Sequence, residues 1–344
     1  MDIILATGGT GGHIFPAITL KKALKIQGYK CILFTDRQIS RNSGIENCVL
    51  PLCKPSIHKL KFFFLLFCSC ISALYHIRKL KPKLVIGFGS YASFPTLLAA
   101  KILSIPIILH EQNAVLGGVN RFFFKSAKLV ATSFPATKYA QGNKCVFIGN
   151  FIGDRVLEVQ DDMEYFNILI IAGSQGANFF DDVISSVICD LPQTLKSRIK
   201  VTQQSTKKNI SKIENQYQNK EINFELSEFF DDMGKKLASS HLVISRAGAT
   251  SIAEITLSRR PAIYIPYLHS KDNHQFYNAK HIESSNAAII VEQNSQTKEN
   301  LTKLLVDLLN NPKKLYNMAN NTKKTEMKDG VIEFIQMLTL KYFP

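Results

Sequence analysis

The segment ATGGTGGHIFPA, residues 6–17, is the most informative stretch of this 344-residue chain. It follows a short apolar run with β-strand character, DIIL at 2–5, and precedes apolar residues at helical spacing, Leu20, Ala23 and Leu24. A strand, a glycine-rich turn and a helix together direct backbone N–H groups and a helix N-terminus towards an anion. Four glycines within five positions let a bulky ligand approach the main chain, because a Cβ atom there would collide with it. We therefore predict an anion-binding turn, followed by a helix that carries Pro16 in its first turn.

His13 is the titratable side chain of this turn, and a histidine can accept a proton near neutral pH. The segment departs from the dinucleotide-binding fingerprint, because the third glycine of G-x-G-x-x-G would fall at Ile14. It also departs from the Walker loop, because no lysine follows the glycines. Asp36, after the apolar run at 31–35, could imitate a ribose-binding acid, so a nicotinamide or flavin site is an alternative.

Composition and charge narrow the class of protein. The length suits two domains, and 46% hydrophobic with 20% charged residues is ordinary for a folded soluble protein. Lysine and arginine number 42 against 27 acidic residues, which gives a formal charge of +15. This excess favours a polyanionic partner: nucleic acid, an anionic membrane surface or a pyrophosphate substrate. The sequence contains no zinc finger, RNP motif or helix-turn-helix, so we expect no nucleic acid. An AT-rich genome, which raises lysine content, is the competing explanation of the charge.

The seven cysteines are scattered and have no metal-ligand spacing. We interpret them as buried or incidental thiols in a reducing cytoplasm. The N-terminus carries an acid at position 2 and few apolar residues before the glycines, so we expect a strand and no signal peptide.

The opening pattern recurs in the second half of the chain. An apolar strand at 167–172 precedes the turn GSQG at 173–176 and a plausible helix at 177–187. Strands alternate with helices in both halves, which predicts α/β domains with parallel sheets covered by helices. Ligands of such sheets bind at the carboxyl ends of the strands. We expect the boundary near residues 149–154.

The segment KFFFLLFCSCISALYHIR, residues 61–78, is apolar nearly all round and has basic flanks. About sixteen apolar residues are too few to span a membrane, which takes about 20. A buried core helix is one interpretation. Basic flanks and an aromatic surface favour a helix that lies partly in the membrane interface. RFFFK at 121–125 is a second aromatic and basic cluster.

Further motifs follow along the chain. They are GFGSYASFP at 87–95, HEQN at 110–113, GSQGA at 173–177, FFDDM at 229–233, SRAGA at 245–249, Glu254 and DNHQ at 272–275. With GGTGGHIFPA at 8–17 they make the chain resemble the MurG family, the bacterial N-acetylglucosaminyltransferases that make lipid II. The matches keep the order of the family and cover nearly the whole chain.

The resemblance implies the glycosyltransferase-B fold, an α/β architecture of two Rossmann-like, doubly wound parallel-sheet domains that face each other across a cleft. Residues 1–152 would form the acceptor and membrane-associated domain, to which a C-terminal helix at about 328–344 returns. Residues 153–327 would form the UDP-sugar donor domain. The implied reaction is inverting transfer of N-acetylglucosamine from UDP-N-acetylglucosamine to the C4 hydroxyl of lipid I, undecaprenyl-diphosphoryl-N-acetylmuramoyl-pentapeptide. The enzyme would lie peripherally on the cytoplasmic face of the bacterial inner membrane, on an anionic surface.

The reaction needs a grip on the nucleotide and neutralisation of its departing diphosphate. No Asp-x-Asp pair occurs in a suitable turn, so we expect no metal or cofactor, and the charge falls to backbone amides and helix N-termini. In the second domain the candidate donor-binding residues are Ser174, Gln175, Phe230, Ala249, Thr250, Ser251, Glu254, Asn273 and Gln275. In the family the acid matching Glu254 holds the ribose, the backbone matching Phe230 pairs with uracil, and the group matching Gln275 reads the sugar. The ring of Phe230 could add stacking.

In the first domain, Thr10, Gly11 and Gly12 would line the diphosphate and acceptor side, and Asn113 would contact the transferred sugar. We assign His13 as the general base and His110 as the reserve candidate. Two departures from the family pattern stand out. Gly153 occupies the position of a donor-binding arginine, for which Arg155 is the nearest substitute, and Ser90 replaces a glycine.

Three alternatives remain at this stage. One is a related glycosyltransferase with another lipid acceptor, and the second is a UDP-sugar 2-epimerase. The third is a non-catalytic UDP-sugar-binding membrane scaffold, to which the two departures would point.

Overall fold

The computed structural model describes residues 1–36, 47–52, 59–153, 165–172 and 177–343. The chain divides into two compact units, unit 1 with Met1–Gly153 and Lys328–Pro344, and unit 2 with Asp154–Met327.

The described part of unit 1 contains a seven-stranded sheet in the order β3-β2-β1-β4-β5-β6-β7. Its strands are β1 (Ile3–Ala6), β2 (Cys31–Thr35), β3 (Asn47–Val49), β4 (Leu84–Gly87), β5 (Ile107–Glu111), β6 (Leu129–Thr132) and β7 (Cys145–Phe147). Every neighbouring pair is parallel. The order turns at β1, so the carboxyl ends of β1 and β4 form the switch point where open α/β sheets bind ligands.

The helices of unit 1 are α1 (Gly11–Ile26), α2 (Lys59–Leu80), α3 (Ser90–Ile102), α4 (Gly118–Phe123) and, from the C-terminus, α14 (Val331–Tyr342), with a 3-10 turn at Phe124–Ser126. They cover both faces of the sheet. Alternate residues of β1 point to opposite sides of the sheet and contact different helices. Ile3 and Leu5 pack in one core cluster with residues of α1 and α14. Ile4 and Ala6 pack in another with residues of α2 and α3.

Helix α1 begins earlier than expected. Gly11, Gly12 and His13 are already helical, and Pro16 is the sixth residue, inside the helix. The prediction that Pro16 lies in the first turn is therefore wrong. Glycine is a poor helix former, so a glycine pair in a sequence favours a turn, but here the two glycines form the first turn of α1.

The described part of unit 2 contains a six-stranded parallel sheet in the order β10-β9-β8-β11-β12-β13. Its strands are β8 (Phe166–Ile171), β9 (Ile199–Gln204), β10 (Asn223–Ser227), β11 (Leu242–Ser245), β12 (Ala262–Tyr264) and β13 (Ala288–Ile290). Its helices are α5 (Ala177–Phe179), α6 (Ser185–Cys189), α7 (Gln193–Lys196), α8 (Ile210–Gln218), α9 (Met233–Ala238), α10 (Ala249–Leu257), α11 (His274–Glu283), α12 (Thr297–Asn310) and α13 (Pro312–Asn321). A π turn at Phe180–Ile184 joins α5 to α6, and 3-10 turns lie at Lys271–Asn273 and Thr322–Lys324. The predicted class, α/β with two Rossmann-like parallel sheets, is confirmed.

Helix α2 has 22 residues, more than the apolar run in the sequence suggested. Its segment Leu60–Leu80 is long and apolar enough to cross a membrane by length and composition alone, and 17% of the apolar window is buried. The expectation that this segment is too short is therefore wrong, because the helix continues through its basic flank. Ser69, Ala73 and Ile77, spaced by four residues, are fully buried. One face of α2 thus packs on unit 1, with Ala73 and Ile77 in the core cluster of Val85 and Leu97.

Candidate active-site residues of the two units

The glycine turn of unit 1 is shaped by a close approach of the loop after β4. Gly9 has φ +78°, and a Cβ atom on it would lie 2.4 Å from Ser90 Oγ. The Gly9 N–H donates to Asp36 Oδ1 at 3.2 Å, and the Tyr91 hydroxyl donates to Asp36 Oδ2 at 2.5 Å. Asp36 therefore ties the two loops together, which corrects its interpretation as a ribose-binding acid.

The loop after β4 keeps a glycine-like backbone although it carries a serine. Gly89 has φ +76° and Ser90 has φ +66°, in the left-handed region that favours glycine. Ser93 Oγ donates to the Ser90 carbonyl at 2.9 Å and holds this conformation. A serine at this position therefore costs backbone strain.

Thr10 is the N-cap of α1, with an extended backbone. Gly11 and Gly12 supply the first N–H groups of this 16-residue helix, where the helix dipole favours an anion. A Cβ atom on Gly12 would meet nothing closer than Thr10 Oγ1 at 3.8 Å, so the space beside it is open. The Thr7 hydroxyl donates to the carbonyl of His13 at 2.7 Å and joins the end of β1 to this helix turn.

The half-buried ring of His13 is held through Nδ1. This nitrogen lies 2.9 Å from the carbonyl oxygen of Phe88 and 2.9 Å from Gln112 Oε1. A backbone carbonyl only accepts hydrogen bonds, so Nδ1 carries the proton. In the neutral imidazole Nε2 then holds the lone pair, which is the form that a general base needs.

His110 is fully buried beneath the site. Its ring stacks on Phe151 at 4.1 Å, and its Nε2 donates to the carbonyl of Gly149 at 3.2 Å. Burial lowers the pKa of His110 to about 4; the hydrogen bond to the Gly149 carbonyl opposes this and raises the pKa, while the proximity of His13 lowers it slightly further. A fully buried ring cannot touch a substrate hydroxyl, so the geometry gives no support to His110 as a reserve base.

Glu111 is a residue that the sequence analysis quoted only within a motif. It is 1% exposed, and its carboxylate accepts the backbone N–H and the side-chain amide of Asn113, both at 3.1 Å. It also accepts the N–H of Gly117 and the amide of Asn120, both at 2.8 Å. Glu111 thus fixes the amide of Asn113, the residue that we expected at the transferred sugar. The spacing H-E-Q-N was its sequence signal.

In unit 2, helix α10 begins at Ala249 with Gly248 as its N-cap. Thr250 is 8% exposed, and its Oγ1 is buried without a hydrogen-bond partner in the described part of the chain. Ser251 is half-buried, so its hydroxyl is the more accessible of the two. Glu254 is 7% exposed and lies one turn further along the same helix.

Arg246, just before α10, was quoted above only as part of the motif SRAGA. Its guanidinium lies 5.0 Å from the rings of Phe179 and Phe180 and 5.6 Å from that of Tyr267. Its Nη1 donates to the carbonyl of Ile265 at 3.0 Å, and burial lowers its pKa to about 10. An arginine held by carbonyls and rings stiffens the loop after β12.

The same loop is held from α11. The Tyr267 N–H donates to Gln275 Oε1 at 2.9 Å, which leaves the amide NH₂ of Gln275 as the group that can meet a sugar hydroxyl. Asn273, the N-cap of α11, has the left-handed backbone, φ 52°.

Phe230 is only 6% exposed, and its ring lies under Lys236 Nζ at 5.4 Å. Base stacking on this ring, as suggested from the sequence, is therefore not available in this conformation. The neighbouring Phe229 is 59% exposed and presents the ring on which a base could stack.

Three candidate residues, Ser174, Gln175 and Arg155, lie outside the described residues. Within the described ranges, no three His, Cys, Asp or Glu side chains come together as a metal site.

Comparisons with known proteins identify the family of the chain. The model of the glycosyltransferase family 28 N-terminal domain matches residues 3–132, and that of the C-terminal domain matches residues 167–334. A protein of Wolbachia pipientis subsp. Culex pipiens (strain wPip) is 71% identical over 98% of both chains. One of Anaplasma marginale (strain St. Maries) is 41% identical over 96% of both. Both are called UDP-N-acetylglucosamine–N-acetylmuramyl-(pentapeptide) pyrophosphoryl-undecaprenol N-acetylglucosamine transferase. The crystal structure of Acinetobacter baumannii MurG superposes with a TM-score of 0.80 at 26% identity, covering 99% of this chain and 100% of that one.

Proposed function

The chain belongs to glycosyltransferase family 28 and to its MurG group, and from this premise we propose that it transfers N-acetylglucosamine from UDP-N-acetylglucosamine to the C4 hydroxyl of lipid I, which yields lipid II. The observation that carries the mechanism is the hydrogen bonding of His13, whose protonated Nδ1 leaves Nε2 to take the proton of the acceptor hydroxyl. The hydroxyl oxygen attacks C1 of the α-linked donor sugar as UDP leaves, which inverts that carbon to the β configuration.

We assign acceptor binding to unit 1. The first N–H groups of α1, at Gly11 and Gly12, with Thr10, suit the diphosphate of lipid I. Asn113, whose amide is oriented by Glu111, is assigned to the transferred sugar. A phosphate beside Gly12 meets open space, which supports this placement.

We assign donor binding to unit 2. The N-terminal turn of α10, with Ala249, Thr250 and Ser251, receives the UDP diphosphate through backbone N–H groups. Since the Thr250 hydroxyl is buried, Ser251 is the side chain that assists. Glu254 is assigned to the ribose hydroxyls, to which a carboxylate accepts hydrogen bonds.

The remaining donor assignments are the backbone of Phe230 at uracil and Gln275 with Asn273 at the sugar. Ser174, Gln175 and Arg155, outside the described residues, stay predictions. No metal or cofactor enters the proposed reaction.

Unit 1 has an apolar face suited to the lipid surface on which such an acceptor resides. We call it the α2 stripe; its members, 54% to 88% exposed, are Leu60, Phe63, Phe64, Phe67, Ile71 and Tyr75. They recur at intervals of three and four residues, opposite the buried Ser69, Ala73 and Ile77, so they form one face of the helix. An exposed apolar face of this kind marks an interaction site.

Basic residues follow the stripe. Arg78, Lys79 and Lys81 are exposed where α2 ends, and anionic lipid attracts such charges. Because the opposite face of α2 packs on unit 1, we propose that the helix lies in the membrane interface without crossing the bilayer, on the cytoplasmic side of the inner membrane. Phe122, 61% exposed, and Lys125 offer a second contact of the same kind.

The test is product formation from labelled UDP-N-acetylglucosamine and purified lipid I, with the full chain and its His13→Ala variant side by side. Lipid II formed by the parent chain and nearly lost in the variant supports the proposal. Transfer to another lipid acceptor but not to lipid I would favour the related glycosyltransferase. UDP-sugar binding without transfer to either acceptor would favour the scaffold.

A further inference from the structure

A chain of hydrogen bonds connects His13 to the backbone at Gly149 through Gln112 and His110. Its two ends are fixed by carbonyl groups, which only accept. At one end Phe88 O receives the proton of His13 Nδ1, and at the other Gly149 O receives that of His110 Nε2. A neutral histidine carries one ring proton, so His110 Nδ1 must be an acceptor.

Gln112 fits between the rings in one orientation. Its amide nitrogen lies 2.9 Å from His110 Nδ1 and 3.2 Å from the His110 carbonyl, so it donates to both. Its oxygen, 2.9 Å from His13 Nδ1, accepts the proton that His13 shares with Phe88 O. A flipped amide would place its NH₂ group against the His13 N–H and its oxygen against an unprotonated nitrogen. The hydrogen-bonding pattern is therefore determined from both ends.

The His110 end of this series of hydrogen bonds is rigid. His110 is 0% exposed; its ring stacks on that of Phe151 with centroids 4.1 Å apart and makes a tilted contact with that of Phe88 at 5.5 Å. Its low pKa, about 4 because of burial, keeps the ring neutral at the pH of the cytoplasm, as an accepting Nδ1 requires. The Asn150 N–H donates to the carbonyl of Lys328 at 3.1 Å, so the returning C-terminal segment fixes the backbone next to Gly149.

We propose that Gln112 and His110 are positioning residues that set the tautomer and ring orientation of His13, so that Nε2 faces the acceptor as an unprotonated base. The catalytic part of this inference rests on the proposed function. The tautomer itself can be observed without any reaction, so the two can fail separately.

The first measurement is the ¹⁵N spectrum of the full chain labelled at histidine, with the His13 signals identified by their loss in His13→Gln. At a pH where His13 is neutral, we expect a protonated Nδ1 and an unprotonated Nε2. A proton found on Nε2 of the parent chain overturns the proposal even if transfer to lipid I is efficient. If the protein shows the expected tautomer but fails to make lipid II, the result would support the positioning role of Gln112 and His110 and count against the proposed function.

The second measurement uses Gln112→Met, which keeps the volume and removes the three side-chain hydrogen bonds of Gln112 to the two histidines. The Phe88 carbonyl still accepts from His13 Nδ1 in this variant, so we expect the Nδ1-protonated tautomer to keep a smaller excess over the other tautomer. We also expect a kcat lower by about five- to tenfold, as for the loss of about one net hydrogen bond, and a donor KM within about twofold. Ser133→Ala is the matched control, because Ser133 Oγ is buried 3.4 Å from His110 Nε2 but is not between the histidines. It should retain the parent tautomer and kcat. An unchanged tautomer and an unchanged kcat in Gln112→Met would overturn the positioning role of Gln112.

Discussion

Replacing Phe63, Phe64 and Phe67 of the α2 stripe by serine should release the protein from anionic vesicles while leaving it folded. The three residues are 63%, 66% and 65% exposed, so about 130 Å² of each, out of ~200 Å² for a phenylalanine, is available to lipid. At ~25 cal/mol per Å², complete transfer into hydrocarbon stabilises binding by about 3 kcal/mol for each ring. A ring half immersed in the interface contributes about half of that. Three half-immersed rings together contribute about 5 kcal/mol, so the triple variant should bind about a thousandfold to ten-thousandfold more weakly.

Serine and phenylalanine have similar helix propensities, so the substitutions test the surface of α2 and not its formation. Most of each ring is already in water in the folded protein. The melting temperature of the triple variant should therefore fall by no more than that of Phe123→Ser. Phe123 is fully buried, and its replacement should cost about 3–5 kcal/mol. Vesicle sedimentation measures the affinity for lipid, and thermal unfolding of the same preparations measures the melting temperature.

The matched control for the vesicle assay is Tyr316→Ser. Tyr316 is 68% exposed on unit 2 and lies outside the stripe, so its loss should leave vesicle affinity unchanged. The parent chain should itself be released as salt rises, because the basic flank is screened. A folded triple variant with less than a threefold loss of affinity would refute a lipid-facing α2 stripe. So would an unfolded triple variant, since exposed rings are not needed for the core.

Further predictions concern the site and its loops. His13→Ala should lower kcat by about 10²–10⁴ with donor binding nearly intact, and isothermal titration with UDP-N-acetylglucosamine checks the second part. Glu254→Ala should raise the donor KM about tenfold or more, with a smaller fall in kcat, and an unchanged KM would remove Glu254 from the ribose. Ser90→Gly should raise the free energy of unfolding by up to about 1 kcal/mol in urea, because a left-handed serine costs about 1–2 kcal/mol and glycine gives back part of that as entropy; a loss would show that Ser90 is not strained. Arg155→Ala should weaken donor binding by about 1 kcal/mol or more, and Gly153→Arg in that variant should recover it if Arg155 substitutes for the family arginine.

Much of the secondary structure could be predicted from the sequence, because its signals are local. β2 occupies the apolar run at 31–35, and β8 overlaps the strand predicted at 167–172. The glycine-rich segment predicted a helix N-terminus suited to an anion, since that property belongs to the backbone of consecutive residues. Three-residue edge strands, β3 and β7, gave no such signal, because so short an element is defined by the strand with which it pairs.

Roles that depend on contacts between distant residues were decided only by the tertiary structure. Asp36 looked like a ribose ligand until Gly9 and Tyr91 were found on its two oxygens. His110 looked like a reserve base until its burial was known.

The position of the proton on His13 shows most clearly how a role depends on contacts between distant residues. The sequence identified the residue, but its two Nδ1 partners, Phe88 and Gln112, are 75 and 99 positions away. They reach it only because β1, β4 and β5 lie side by side, and the carboxyl ends of parallel strands meet at one edge of the sheet. Local patterning therefore determined which residue types are present, while strand order determined which of them share a hydrogen bond.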